Sequence, residues 1–216
     1  AGSLKRANPD MIEDAVLIRA MRDANVPKFL NDDLPLFAAI VQDLFPTVEI
    51  VDPDYTELEQ QIAKCARARL LQPKPEVMKK IIYLYETFAV RFGVMLVGPT
   101  GGGKTSCYEV LADVMTAMFE KGHPNKMFQS VKYQVFNPKA ISMGELYGEV
   151  DFISQEWSDG LASKIMRAYA QELGEEKSWT VFDGPVDALW IENMNTVLDD
   201  NMTLFLANGQ RIKLRP

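Results

Sequence analysis

The chain has 216 residues, enough for one large domain or a domain with an appendage, and its 47% hydrophobic and 25% charged content is that of a globular protein with a sizeable core. A net charge of −7 argues against a nucleic-acid-binding face, which needs clustered Lys and Arg. No apolar run reaches the length of a membrane span and no signal-peptide pattern opens the chain, so a soluble intracellular protein with no membrane partner is expected. Cys65 and Cys107 are too few for a disulfide scaffold; they predict buried thiols in a reducing compartment.

The first ninety residues read as helical in about four pieces, punctuated by proline. Asn8-Pro9 caps a helix over 9–22, and Val26-Pro27 interrupts the stripe. A second helix is expected over 34–45, capped by Asp33. Residues 47–51 form a short extended piece. Asp52-Pro53 repeats the cap-plus-proline signal and opens a third helix to about Leu71. Gln72-Pro73-Lys74-Pro75 breaks the chain again, and 76–90 carries apolar residues at helical spacing.

Residues 93–97 are a short apolar run that predicts a buried strand. Directly after it, Gly98-Pro99-Thr100-Gly101-Gly102-Gly103-Lys104-Thr105 fills the pattern G-x-x-x-x-G-K-[ST] at every fixed position, and Ser106 follows in the same turn. Cys107, Val110, Leu111, Val114, Met115, Met118 and Phe119 then recur at helical spacing, with Gly122 as a stop. Strand, glycine loop and helix make a phosphate-binding arrangement. Glycines let backbone N–H groups turn inward around a phosphate chain, and the helix aims its positive end at the same point. Lys104 adds a charge near the β- and γ-phosphates, and the Thr105 hydroxyl is placed to ligate Mg2+.

Beyond the loop helix, strands and helices alternate. Residues 131–136 read as a strand with Val131, Tyr133 and Val135 on one face, ended by Asn137-Pro138. For 143–157 a short helix near 143–147 and a hairpin after it are both compatible with the residues. A helix is expected over 161–172 with Ser158 or Asp159 as cap, a strand over 178–183, and a helix from the Val186-Asp187 cap to about Leu198. Residues 203–214 read as a β-hairpin, since Asn208-Gly209 suits a tight turn. The alternation implies an α/β fold with a mostly parallel sheet flanked by helices.

A phosphate loop is completed by an aspartate ending a neighbouring apolar strand, where it supports Mg2+. Asp183, closing Trp179-Thr180-Val181-Phe182, is the candidate. ATPases of the AAA+ kind usually follow this aspartate with a glutamate that acts as base toward the attacking water. Here that position is Gly184. Losing such a base leaves the phosphate and metal contacts intact but removes about 100- to 10,000-fold in rate. Binding of ATP or ADP without useful turnover is therefore expected.

Several further stretches point to one family. Asn137-Pro138-Lys139-Ala140, Leu146-Tyr147-Gly148, residues 156–161, residues 181–187, Trp190-Ile191-Glu192-Asn193 and residues 197–201 resemble the second AAA+ module of the dynein heavy chain motor ring. Residues 25–30 and 35–37 resemble the segment that joins the first module to the second. The wording of 133–148 is closer to axonemal dyneins than to the cytoplasmic one. The resemblance covers nearly everything after Ser3.

The resemblance implies a P-loop NTPase (AAA+) large subdomain over 47–216, preceded by a helical segment at 1–46 that leads in from the preceding module. It implies that Gly98, Pro99, Thr100, Gly101, Gly102, Gly103, Lys104, Thr105 and Ser106 bind ATP or ADP, that Thr105 and Asp183 hold Mg2+, and that this module is structural, in agreement with Gly184. It would put the adenine near 47–51, beside Val48 or Ile50. The 143–157 region and the Asn208-Gly209 hairpin resemble inserts with which the module touches the linker, the lever of the motor. Neighbouring AAA+ modules and the linker of the same heavy chain would be its partners, with microtubules reached through the whole motor. The setting would be cytoplasm and cytoskeleton, in the ciliary axoneme. In this family a sensor strand, an arginine reaching a neighbouring site and a helical lid come after the position of Pro216.

Two other readings compete: a hydrolytically active P-loop ATPase, and a degenerate module that binds no nucleotide in isolation. His123 reads as a solvated loop residue, the methionines as helix core, residues 172–177 as a solvated charge run, and Trp157 and Trp190 as core.

Overall fold

The computed structural model describes residues 5, 12–26, 29, 32–46, 48, 54–172, 174, 176–199 and 201–215. The Asn8-Pro9 and Asp52-Pro53 caps lie outside these residues, as does the 47–51 segment apart from Val48. The chain divides into two compact units, Ala1–Val90 with Thr100–Leu111, and Arg91–Pro99 with Ala112–Pro216.

The first unit is helical. It contains α1 (Glu13–Asn25), α2 (Asp33–Leu44), α3 (Thr56–Ala68), α4 (Pro75–Val90) and the opening turns of α5 (Lys104–Glu120). Helix α4 packs against α1 and α3. Val16, Ile18, Leu58, Ile62, Ile81 and Leu84 are buried in this unit. Two expected starts shift. Asp32 precedes α2 and Asp33 lies inside its first turn, where an acid favours the helix dipole without capping by side chain. Helix α3 opens at Thr56, whose backbone N–H and hydroxyl both donate to Asp54 Oδ1, at 2.9 and 2.6 Å. It closes at Ala68, short of the expected Leu71, because Leu70 turns to φ 60°. Proline stands at the first position of α4, where its missing N–H costs nothing.

The second unit holds the strands. β1 (Val131–Phe136) and β4 (Lys177–Phe182) pair in parallel, with Val131 opposite Lys177 and Phe136 opposite Phe182. Between them come α6 (Met143–Tyr147), an antiparallel hairpin β2 (Gly148–Val150) and β3 (Trp157–Asp159), and α7 (Leu161–Gln171). After β4 come α8 (Ala188–Ile191), a 3-10 turn at Glu192–Met194, α9 (Asn195–Leu198), and the hairpin β5 (Thr203–Phe205) with β6 (Arg211–Lys213). Both elements weighed for 143–157 are therefore present. Helix α6 starts with a capping box in which Glu145 N–H donates to Ser142 Oγ and Ser142 N–H to Glu145 Oε2.

The core of this unit gathers Leu146, Tyr147, Ala162, Met166, Trp190, Met194, Val197, Leu204, Leu206 and Ile212, with Phe136, Phe182 and Trp157 packed on it. Trp157 and Trp190 are thus core residues, as expected.

The structure corrects several sequence expectations. Residues 93–97 form no strand: Met95, Leu96 and Val97 are 53, 39 and 84% exposed. A parallel strand is buried by ladder partners at its edges and helices on its faces, and an apolar run alone supplies neither. Neither Ser158 nor Asp159 caps α7; Gly160 occupies that position, because Asp159 is engaged by Arg167 and Trp157. The single helix expected to Leu198 is broken at the 3-10 turn. The Asn-Gly turn is a longer one: Gly209 N–H donates to the Leu206 carbonyl and Leu206 N–H to the Gln210 carbonyl, with Gly209 at φ 83°. His123 is half-buried, its ring edge-on to Phe128 at 4.8 Å. The charge run at 172–177 is partly paired, with Lys132 Nζ 2.6 Å from Glu172 and 3.5 Å from Glu176.

Candidate functional site

The glycine loop owes its course to two residues. Gly101 and Gly103 both sit at φ 78°, in the left-handed region that strains any side chain. A Cβ at either would meet nothing within 4 Å, so the demand for glycine is conformational and the space beside the loop is open. Gly103 hands directly into α5: its carbonyl accepts the Cys107 N–H at 2.9 Å, closing the first helical turn. α5 runs for 17 residues and has no acid in its first turn, so its positive end is not offset by a local carboxylate. Lys104 and Ser106 are half-buried there and Thr105 is exposed, as are Gly98, Pro99, Thr100, Gly101, Gly102 and Gly103. Open space, a left-handed glycine turn and an uncompensated helix start suit a phosphate group.

The strand-end residues are built separately, in the second unit. Asp183 N–H donates to the Phe136 carbonyl at 2.9 Å, extending the β1–β4 ladder by one bond and placing Asp183 at the carboxyl edge of the sheet. Its side chain is exposed. A carboxylate and a threonine hydroxyl are hard oxygen donors of the kind Mg2+ takes. Gly98, Pro99 and Asp183 belong to the second unit, and Thr100–Ser106 to the first.

Beneath Asp183 lies an aromatic stack. Phe136 meets Phe182 with ring centres 4.7 Å apart, and Phe182 stacks on Trp190 at 5.3 Å with planes 3° apart. The Trp190 indole N–H donates to the Pro185 carbonyl at 3.1 Å. A Cβ at Gly184 would lie 2.6 Å from Asn137 Oδ1 and 3.0 Å from Pro138 Cδ. Asn137 Oδ1 in turn accepts the Lys139 N–H at 2.9 Å. Lys139 Nζ stands 2.5 Å from Asp187 Oδ2, and Asp187 Oδ1 accepts the Leu189 N–H at 3.0 Å, capping α8. The ammonium of Lys139 first, and the Leu189 amide second, hold the Asp187 carboxyl below the usual carboxylate range.

The sequence singled out Asp183 and Gly184 but not the pairing of Lys139 with Asp187. No local pattern announces it, because the contact exists only once β1 and β4 are in register. Among the described residues no group of three or more His, Cys, Asp or Glu could hold a metal ion. Among the described residues no helix is long and apolar enough to cross a membrane. Val48, the adenine neighbour expected by resemblance, is half-buried and its N–H donates to the Phe45 carbonyl at 3.2 Å.

Comparison with known proteins gives a family. Residues 93–216 match the profile described as AAA domain (dynein-related subfamily), and residues 1–105 match that described as hydrolytic ATP binding site of dynein motor region. The chain is 55% identical over its full length to human dynein axonemal heavy chain 6, and over 99% of its length it is 53% identical to human dynein axonemal heavy chain 1 and 44% identical to human dynein axonemal heavy chain 2. It spans about 5% of the length of each of these relatives.

Proposed function

The chain belongs to the dynein-related subfamily of AAA domains, a nucleotide-binding family, and from that premise we propose that it is an ATP-binding, largely non-hydrolysing structural module of a dynein motor. The observation that carries the binding is the loop from Gly98 to Thr105, with its two left-handed glycines opening straight into α5. Backbone N–H groups of Gly101 to Thr105 wrap the phosphates, Lys104 neutralises their charge, and Ser106 completes the binding set. Thr105 and Asp183 are the residues that would hold Mg2+, which would offset phosphate charge. Gly184 offers no base to orient or deprotonate water, and the Asn137 carboxamide fills the space where a side chain there would begin. Gly98, Pro99 and Thr100 complete the binding loop at its start.

In this reading the chain is the second module of the ring. Residues 1–46 lead in from the preceding module and 47–216 carry the large subdomain, with α4 packing on both α1 and α3. The neighbouring AAA+ modules and the linker of the same heavy chain are its partners, and the β2–β3 and β5–β6 hairpins are the inserts facing that linker. Microtubules are engaged through the whole motor, in the cytoskeleton of a ciliary axoneme, as the names of its relatives suggest.

Thermal unfolding with and without Mg-ATP or Mg-ADP tests the reading. Nucleotide at 100 times its dissociation constant adds about 2.7 kcal/mol. Lys104→Ala removes the shift. No shift in the parent chain at millimolar nucleotide overturns it in favour of the degenerate module. A hydrolysing module is the second reading, favoured by the family description matched over residues 1–105. Single-turnover release of phosphate, abolished by Lys104→Ala, establishes that one instead.

A further inference from the structure

Asp183 is followed by a glycine, the residue with the most backbone freedom to lose on ordering. The loop from Asp183 to Asp187 is nevertheless tied at both ends and at Pro185. Asp183 is fixed by its ladder bond to Phe136 and Pro185 by the Trp190 indole, while Asn137 Oδ1 occupies the space where a Cβ on Gly184 would stand. The last tie is the Lys139–Asp187 ion pair at 2.5 Å. Lys139 comes from the loop after β1 and Asp187 from the loop after β4, and the Phe136–Phe182 register brings both loops off the same edge of the sheet. Lys139 is itself anchored at its backbone, through the bond from its N–H to Asn137 Oδ1.

The core does not need this bridge. The Lys139 and Asp187 side chains are 47 and 24% exposed, and exposed pairs add little to global stability. The α8 cap uses the other carboxylate oxygen and survives without Lys139. What the bridge does control is the far end of the loop whose near end carries Asp183. A carboxylate that supports a metal must be presented in one orientation, and groups outside the ligand set govern that orientation.

We propose that Lys139 and Asp187 are positioning residues for Asp183, bridging the two loops at the carboxyl edge of the sheet so that the Asp183 carboxylate is held ready for the Mg2+ of a bound nucleotide. This rests on the metal-supporting role proposed for Asp183. The bridge touches neither nucleotide nor metal, so its effect appears only in the magnesium dependence of binding.

The test is calorimetric titration of the 216-residue chain with ATP, once with Mg2+ and once with EDTA, reading the ratio of the two affinities. Lys139→Met lowers that ratio about threefold to fivefold, in keeping with an exposed pair. The EDTA affinity and the nucleotide-free unfolding temperature stay at parent values. Asp187→Asn, which keeps an acceptor for the α8 cap, behaves alike, and Lys139→Arg restores the ratio. An unchanged ratio in Lys139→Met, a parallel fall in the EDTA affinity, or loss of the fold would each overturn the proposal. Asp183→Asn separates it from its premise. If Asp183→Asn leaves the ratio unchanged, the role of Asp183 fails and the proposal with it. If it collapses the ratio while Lys139→Met does not, only the bridge is wrong.

Discussion

Gly184 lies so close to Asn137 that a Cβ on the glycine would stand 2.6 Å from the carboxamide oxygen. That oxygen is not free to swing away, because it holds the Lys139 N–H. Gly184→Ala should therefore destabilise by about 1–3 kcal/mol, the usual cost of overpacking. Asn137→Ala removes the obstructing atoms, so in the double variant the penalty of Gly184→Ala shrinks by at least about 0.5 kcal/mol relative to additivity. Urea denaturation of the four chains measures this, and strict additivity refutes the contact. By the same geometry Gly184→Glu alone yields no phosphate release, since the new carboxylate is displaced from the start of its side chain onward.

Tyr147 links α6 to the segment after β4 through the bond from its hydroxyl to the Trp190 carbonyl, 2.6 Å long and buried. Burial pushes the phenol well above its ordinary value, so it remains a donor. Tyr147→Phe leaves that carbonyl without its partner in the core, at a cost of about 1–3 kcal/mol. Denaturation midpoints equal to the parent would show that the bond contributes nothing.

Asp159 joins β3 to α7: Arg167 Nε of α7 donates to its Oδ2 at 2.8 Å, Trp157 Nε1, also of β3, donates to its Oδ1, and the same Arg167 reaches Gln210 beside β6 at 2.9 Å. Chiefly through Arg167, its carboxyl is held below the ordinary range. A carboxyl depressed in the folded state stabilises above its unfolded value, about 3.9 for Asp, and that contribution fades as pH falls through the lower folded value. The advantage of the parent chain over Arg167→Met in urea should be full near pH 6 and dwindle below pH about 4. An advantage independent of pH across that window would mean that Arg167 acts by packing alone.

Cys107 stands in the first turns of α5, yet its thiol is buried and burial raises it to about 11. At pH 8 almost none of it is thiolate, the reactive form. Iodoacetamide should leave Cys107 unmodified in the folded chain and label it once urea unfolds the protein. Rapid labelling under native conditions, read by mass spectrometry, would refute that burial.

Legibility from sequence followed the range of the interactions involved. The turn into α5 was readable because its pattern is local: glycines at fixed spacing, a lysine and a hydroxyl, then a helical stripe. The helices α1 to α5 and the strands β1 and β4 followed from periodicity and proline punctuation, and the missing carboxylate at Gly184 was visible as a single letter. Asp159 shows where such reading stops, since a residue placed to cap α7 serves Arg167 instead, eight positions on.

What the amino-acid order determined by itself was therefore the family, the glycine-loop pattern ahead of α5 and the glycine that follows Asp183, all of them properties of neighbouring residues. Tertiary structure alone decided that residues 93–97 form no strand, that Asn137 occupies the space above Gly184, and that Lys139 reaches Asp187. The first depends on ladder partners that an apolar run does not supply, and the other two on the register of parallel strands separated by two helices and a hairpin, a property of the folded sheet that no local pattern encodes.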